Sequence, residues 1–294
     1  MTKEMQYCST IGFFDGVHRG HQFLIDSVCQ QARSHGMQSM VITFDTHPRQ
    51  VVQSSYVPQL ITTADEKLRL LHATGADRIE MLHFDREMAA MSAHDFMQQV
   101  LHDKLGVRRL VTGYDNRFGH NRSEGFDDYV LYGKDMGIDV VAHTPLDVDG
   151  MRVSSSVVRR LIAAGDVAEA AVLMGHRFCI EGTVVHGYGE GRKLGFPTAN
   201  IAPVMAEQLL PATGVYAVSV SIEGGEPMKA MMNVGCNPTF QRQQITLEAH
   251  IANFHGDIYG QRVRVEFYRH IREERTFNSV DELRQQIQKD MLAL

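Results

Sequence analysis

Cysteine is sparse in this sequence, basic residues never run together, and no stretch stays apolar for long. Each absence removes a class of protein. The four cysteines, Cys8, Cys29, Cys179 and Cys236, lie far apart and form no CxxC pair, which predicts free thiols in a reducing compartment rather than a disulfide framework. Lysine and arginine number 29 against 35 aspartates and glutamates, giving a formal net charge of −6, and the two signs are interspersed. Without a basic block there is no track for a nucleic-acid backbone. No window reaches the roughly 20 apolar residues that span a bilayer. The N-terminus has no basic region ahead of an apolar core, and Glu4 stands where a signal peptide would be positive. Repeats and low-complexity tracts are missing as well. The expectation is a cytoplasmic protein that binds neither nucleic acid nor membrane; its oligomeric state is not legible.

What is present suffices for two domains, since 294 residues with 44% hydrophobic content can bury a core in each half. The first part alternates short apolar runs with helical patterns. Residues 7–11, 40–44, 78–82, 108–113 and 138–143 read as strands. Between the first two, Leu24, Ile25, Val28 and Ala32 give residues 20–35 an amphipathic period. Thr63-Ala-Asp-Glu66 has the form of a capping box, with Leu68, Leu71 and His72 continuing the helix face. Strands alternating with helices predict an α/β fold with a parallel sheet. From about residue 175 the period changes to two: 180–186, 214–222, 245–251 and 262–268 read as strands of an antiparallel barrel or sandwich. A closing helix begins at the capping box Ser279-Val-Asp-Glu282, with Leu283, Ile287 and Met291 inward. The boundary falls at 174–178, giving domains 1–176 and 177–294.

The first domain offers one strong site signal. GFFDGVHRGH (12–21) lies between the first strand and the first helix, where open α/β sheets bind ligands. Glycines there let backbone approach a phosphate, and the helix start presents N–H groups to an anion. His18 and His21 can both face that anion and stabilise charge on a phosphate as its leaving group departs. The chain has fifteen histidines, so an HxxH pair also arises by chance or serves a metal. Three further elements fall at later strand ends or helix starts. These are Phe44-Asp45-Thr46-His47-Pro48, Gly113-Tyr114-Asp115-Asn116-Arg117-Phe118-Gly119, and Ser154-Ser155-Ser156 before Arg159. Each has a plain alternative: a turn, a glycine-bounded loop, a helix N-cap.

In the second domain, Gly187, Gly189 and Gly191 follow a strand at alternate positions and precede Arg192 and the run Gly195-Phe-Pro-Thr-Ala-Asn200. The glycines fit a phosphate nest or a flexible hairpin. Pro197 excludes a dinucleotide fingerprint. Thr198 and Asn200 can project oxygen ligands to one side of a strand, as Mg²⁺ prefers. Glu248, inside ITLEAHI, either faces water or points into a barrel mouth as a general base.

Together, GFFDGVHRGH, GYDNRFG, the serine run before Arg159, GxxGRKLGFPTAN, LPATGVYAV, NVGCNPTF and LEAHI resemble the prokaryotic bifunctional riboflavin kinase/FMN adenylyltransferase family over nearly the whole chain. The resemblance implies a Rossmann-like nucleotidyltransferase domain followed by a β-barrel riboflavin kinase domain, making FMN and then FAD with ATP as co-substrate and Mg²⁺ as cofactor. It implies ATP contacts for Gly12, Phe13, Asp15, Gly16, His18, His21, His47, Ser154, Ser155, Ser156 and Arg159 in the first domain. In the second it implies them for Gly187, Gly189, Gly191 and Arg192. It further implies Mg²⁺ on Thr198 and Asn200, a base at Glu248, and flavin contacts for Asp115, Asn116 and Arg272. Thr46 and Asn116 depart from the family pattern, and Ser156 replaces its threonine. A kinase with a weakened adenylyltransferase half, and a flavin-binding regulator without turnover, are the competing expectations.

Overall fold

The computed structural model describes residues 5–294 apart from 54, 114–115, 188, 190, 192–193 and 240–241, and of 121, 237–239 and 242–244 only the backbone. The chain divides between Ser155 and Ser156 into two compact units.

The first unit is built on a parallel sheet of β1 (Tyr7–Ile11), β2 (Gln38–Phe44), β3 (Arg78–Leu82), β4 (Val107–Gly113) and β5 (Asp139–His143) in the order β3-β2-β1-β4-β5, followed by a two-stranded ribbon of β6 (Asp147–Val148) and β7 (Met151–Arg152). All five residues of β1 are buried, as expected of a central strand covered on both faces. The order reverses at β1, which has β2 on one side and β4 on the other. Crevices form at such switch points because successive crossovers leave on opposite sides of the sheet. Helix α1 (Arg19–Ser34) packs Leu24, Ile25, Val28, Cys29 and Ala32 onto the sheet, the stripe its periodicity predicts. Two short helices the sequence reading did not give, α2 (Pro48–Val52) and the turn Arg86–Ala90, break up the connections.

Helix α3 (Ala64–His72) corrects one expectation. Thr63 caps it as predicted, its hydroxyl accepting from Glu66 N at 3.2 Å. Its buried residues, however, are Glu66, Lys67 and Leu71, while His72 is exposed. A 3.6-residue period places Lys67 directly above Leu71, so the packed face runs through a charged side chain.

In the second unit, β8 (Cys179–Val185), β9 (Ala199–Pro203), β10 (Gly214–Ile222), β11 (Met228–Thr239), β12 (Arg242–Ile251) and β13 (Arg262–Arg272) close a barrel in the order β10-β11-β12-β9-β8-β13. Closure decides between the barrel and sandwich alternatives and leaves no sheet edge. The interior is filled by one alternating face of each strand, for example Val263, Val265 and Phe267, or Ala230, Met232 and Val234. Strand β11 carries no regular alternation at its Pro-containing end, and the sequence reading missed it. The helices Ser155–Ala163 and Val167–Met174 group with this barrel. Gly165, at φ 87°, turns the chain between them, and a Cβ there would lie 2.9 Å from the Tyr216 hydroxyl. The closing helix spans Val280–Met291 and is capped by Ser279 as predicted. Its one buried residue is neither Leu283, Ile287 nor Met291 but Asp290, held by Arg272 at 2.9 Å.

Candidate functional site

The loop after β1 turns tightly, with positive φ at Phe14 (55°), Gly16 (80°) and Val17 (35°). A β-branched residue in that region is strained, and such strain persists where the surroundings hold it. The holding is visible. The Asp15 carboxylate accepts from Ile61 N at 2.9 Å and Thr62 N at 3.2 Å, and Gly16 N donates to Thr62 Oγ1 at 3.1 Å. Ser155 Oγ donates to Asp15 O at 3.0 Å. Asp15 is 3% exposed, so its carboxylate shapes the loop; His18 is buried as well, at 4% exposed, and His21 is half-buried.

His18 is the N-cap of α1. Its Nδ1 accepts from His21 N at 3.2 Å, which puts a neutral ring's proton on Nε2. The His18 and His21 rings stack with centroids 3.6 Å apart and planes 16° apart, so both imidazoles present together at the helix start. Gly20 makes room, since a Cβ there would meet His18 Nδ1 and Val153 O, each at 3.2 Å. A Cβ on Gly12 would lie 3.1 Å from the Phe14 ring.

His47 belongs to the same crevice. It is the N-cap of α2, with Pro48 in the first turn, so His-Pro is here a helix start rather than a plain turn. Its ring stands edge-on to Phe13 at 4.7 Å. From the β4 side, Asn116 Nδ2 donates to Ile11 O at 2.7 Å. Asn116 thus ties the β4 loop to the end of β1. Asp115 lies outside the described residues. Ser154 and Ser155 close the first unit, while exposed Ser156 and half-buried Arg159 lie in the helix Ser155–Ala163.

In the barrel, the elements the sequence reading singled out converge. Glu248 pairs with Asn200 across β12 and β9, and the Thr198 hydroxyl donates to Glu248 Oε2 at 3.2 Å. The glycine loop lies hard against both donors. A Cβ at Gly187 would fall 2.1 Å from Asn200 Nδ2, and one at Gly191 would fall 3.2 Å from Thr198 Oγ1 and 2.4 Å from Phe196 O. Leu247, Ala249 and Ile251 are buried and alternate with half-buried Glu248. Glu248 therefore projects from the face opposite the packed interior. It is half-buried rather than fully wet, with the Thr198 hydroxyl on its carboxylate. Asn233, which faces Glu248 on β11, donates to Glu274 at 3.5 Å. Arg192 lies outside the described residues. Arg272 donates from Nε to Asp290 at 2.9 Å, so its guanidinium anchors the closing helix.

A cavity of ≈ 480 Å³ adjoins Thr198, lined among others by Pro197, Phe254, His255, Asp257 and Tyr259. His186 stacks on Tyr259 at 4.0 Å just ahead of the glycine loop. The aromatic and histidine lining, Phe254, His255 and Tyr259, comes from the one loop between β12 and β13; it was not identified from sequence, because nothing local shows that this loop lies beside Thr198. Among the described residues no group of three or more His, Cys, Asp or Glu could hold a metal. The donors of Thr198, Asn200 and Glu248 are hard oxygens, as suits a cation that takes few protein ligands and fills its sphere with phosphate and water.

A histidine-bearing loop at a sheet switch point, followed by a barrel with a glycine loop beside oxygen donors, is the architecture of a two-unit transferase acting on phosphates. A family model described as FAD synthetase matches residues 2–157, and one described as riboflavin kinase matches 174–294. The bifunctional riboflavin kinase/FMN adenylyltransferase of Escherichia coli K12 is 38% identical over 96% of this chain and 90% of its own length. That of Bacillus subtilis is 34% identical over 95% and 89%. A solved structure described as a macrolide-efflux protein from Streptococcus pneumoniae superposes with TM-score 0.89 at 31% identity, covering 99% of this chain and 94% of that one. Among the described residues no helix is long and apolar enough to cross a membrane. The chain belongs to the bifunctional riboflavin kinase/FMN adenylyltransferase family.

Proposed function

We propose that this protein phosphorylates riboflavin to FMN with ATP and then transfers AMP from a second ATP to FMN, giving FAD and pyrophosphate. The kinase step is assigned to residues 177–294 and the adenylyl transfer to 1–176. The observation that carries the kinase assignment is the joining of Thr198 to Glu248 at 3.2 Å beneath a glycine loop with no room for a side chain at Gly187. Glu248 accepts the proton of the riboflavin 5′-hydroxyl as that oxygen attacks the γ-phosphorus of ATP, whose bond to the β,γ-bridging oxygen breaks to release ADP. Thr198 and Asn200 hold Mg²⁺, which when bound neutralises charge on the ATP phosphates. Gly187, Gly189, Gly191 and Arg192 cover the nucleotide, and Arg272 contributes to the flavin side.

For adenylyl transfer, the FMN phosphate attacks the α-phosphorus and pyrophosphate leaves. His18 and His21 stabilise the charge that builds there, and Arg159 completes the set. The backbone of Gly12, Phe13, Asp15 and Gly16 cradles the phosphates with His47 and Ser154–Ser156, while Asp115 and Asn116 serve the flavin. The stacked imidazoles at the start of α1 support this reading. The enzyme works in the cytoplasm without nucleic-acid or membrane partners. Purified protein given riboflavin and Mg-ATP is expected to show FMN rising first and FAD following, by chromatography. FMN without FAD would leave only the kinase, and neither product would sink the proposal.

A further inference from the structure

Helix α3 carries a lysine where a core residue is expected. Lys67 is 2% exposed. Its ammonium donates to Phe44 O at the end of β2 at 2.7 Å and lies 3.9 Å from the centroid of the Phe13 ring. Burying an ammonium is expensive unless partners compensate. Here the compensation comes from a carbonyl and an aromatic face, and both belong to the loops that form the first unit's crevice. Phe13 is also fixed from its backbone, its carbonyl accepting from Thr43 Oγ1 at 3.1 Å. On its free side it meets the edge of His47 at 4.7 Å.

We propose that Lys67 is a positioning residue of the adenylyl-transfer site: its ammonium pins the Phe13 ring of the phosphate loop to the carbonyl end of β2 and thereby sets the His47 imidazole. The proposal rests on the first unit being the adenylyltransferase. An apolar residue of equal size would fill the volume but exert no pull on the ring face, because the attraction is that of a cation for the ring quadrupole.

The charge on Lys67 is conditional. Burial draws its pKa down to about 8, against the opposing pull of Asp15 and Asp45. Asp15 faces it from the loop after β1 and Asp45 from the loop after β2, the latter bonded to His83 at 2.7 Å. His47 lies across Phe13, and on the same helix Glu66 is paired with Arg69 at 2.7 Å. As pH rises through about 8 the ammonium is lost and the hold on Phe13 weakens.

The test uses the full chain with Lys67→Met, which removes the charge, and Lys67→Gln, which keeps a donor for the Phe44 carbonyl. The His47 imidazole NMR signals, identified by their loss in His47→Asn, are expected to shift in both variants. FAD formation from FMN and Mg-ATP should fall about tenfold or more in both, while riboflavin phosphorylation by the same preparations stays at the wild-type rate and the dispersed NMR signals of the first unit report that it is folded. Wild-type adenylyl transfer should decline as pH rises through about 8, and the variants should lack that limb. Unmoved His47 signals, or a wild-type alkaline limb in Lys67→Met, would overturn the proposal. Absence of FAD from the wild-type reaction would instead sink the adenylyltransferase assignment, and the NMR signals would still decide whether Lys67 sets the His47 ring.

Discussion

Replacing Gly187 by alanine places one methyl group against the side chain assigned to hold Mg²⁺. The added Cβ would sit 2.1 Å from Asn200 Nδ2, 2.4 Å from Cγ and 2.7 Å from Oδ1, where non-bonded heavy atoms prefer about 3.5–4.0 Å. Either Asn200 swings away or the glycine loop lifts. Overpacking of this kind costs about 1–3 kcal/mol. If that cost is borne by the positioned state, it converts to a loss of roughly five- to 150-fold in kcat/KM. Gly189→Ala is the matched control. Gly189 has φ 71° with nothing within 4 Å among the described residues, so it suffers only backbone strain of about 1–2 kcal/mol. Riboflavin phosphorylation followed across a Mg²⁺ titration should show Gly187→Ala slower and needing more Mg²⁺, with FMN adenylylation unchanged. Wild-type kinase behaviour in Gly187→Ala, or a larger loss in Gly189→Ala, would refute the reasoning.

Other expectations follow from the same geometry. Glu248→Gln keeps the shape beside Thr198 but removes the base, so FMN formation should fall about 10²–10⁴-fold while FMN adenylylation persists; product chromatography with each substrate separates the two. Asp15→Asn turns a donor toward Ile61 N and Thr62 N, costing about 1–3 kcal/mol. This should lower the unfolding midpoint and adenylyl transfer but spare the kinase, by thermal melts and paired assays. Ser39 Oγ and N donate to Asp77 at 2.7 and 2.8 Å and hold its carboxyl below the usual range. That stabilisation exists above the unfolded pKa and fades as pH falls through the lower folded one. The melting difference between wild type and Asp77→Ala should therefore be full at pH 7 and shrink below about pH 4.

The sequence by itself determined the succession of elements and most of the barrel site. Periods of 3.6 and 2 are local properties, so α1 and the alternating face of β13 are legible from spacing alone, while β1 shows only as a short run ahead of a glycine. The glycine loop, Thr198 and Asn200 are close neighbours in sequence, and their convergence needs little more than one bend of chain. Strand β11 escaped because an apolar residue, Met231, also stands on the face opposite Ala230, Met232 and Val234, so its period of two does not show in the sequence.

Only the tertiary structure decided what joins distant segments. It turned the Asp15 carboxylate to Ile61 and Thr62 instead of toward a ligand, committed Arg272 to Asp290, and buried Lys67 between Phe13 and Phe44 O. A lysine one turn before Leu71 on an apolar face was the available signal for the last, and it reads equally as a solvated charge. It also put Glu248 on the half-buried outer face of its strand, beside Thr198. Alternation tells which residues share a face, but which face is wet depends on what the rest of the chain lays over it. A charged group's role is set by its partners, and partners separated along the chain are chosen by packing.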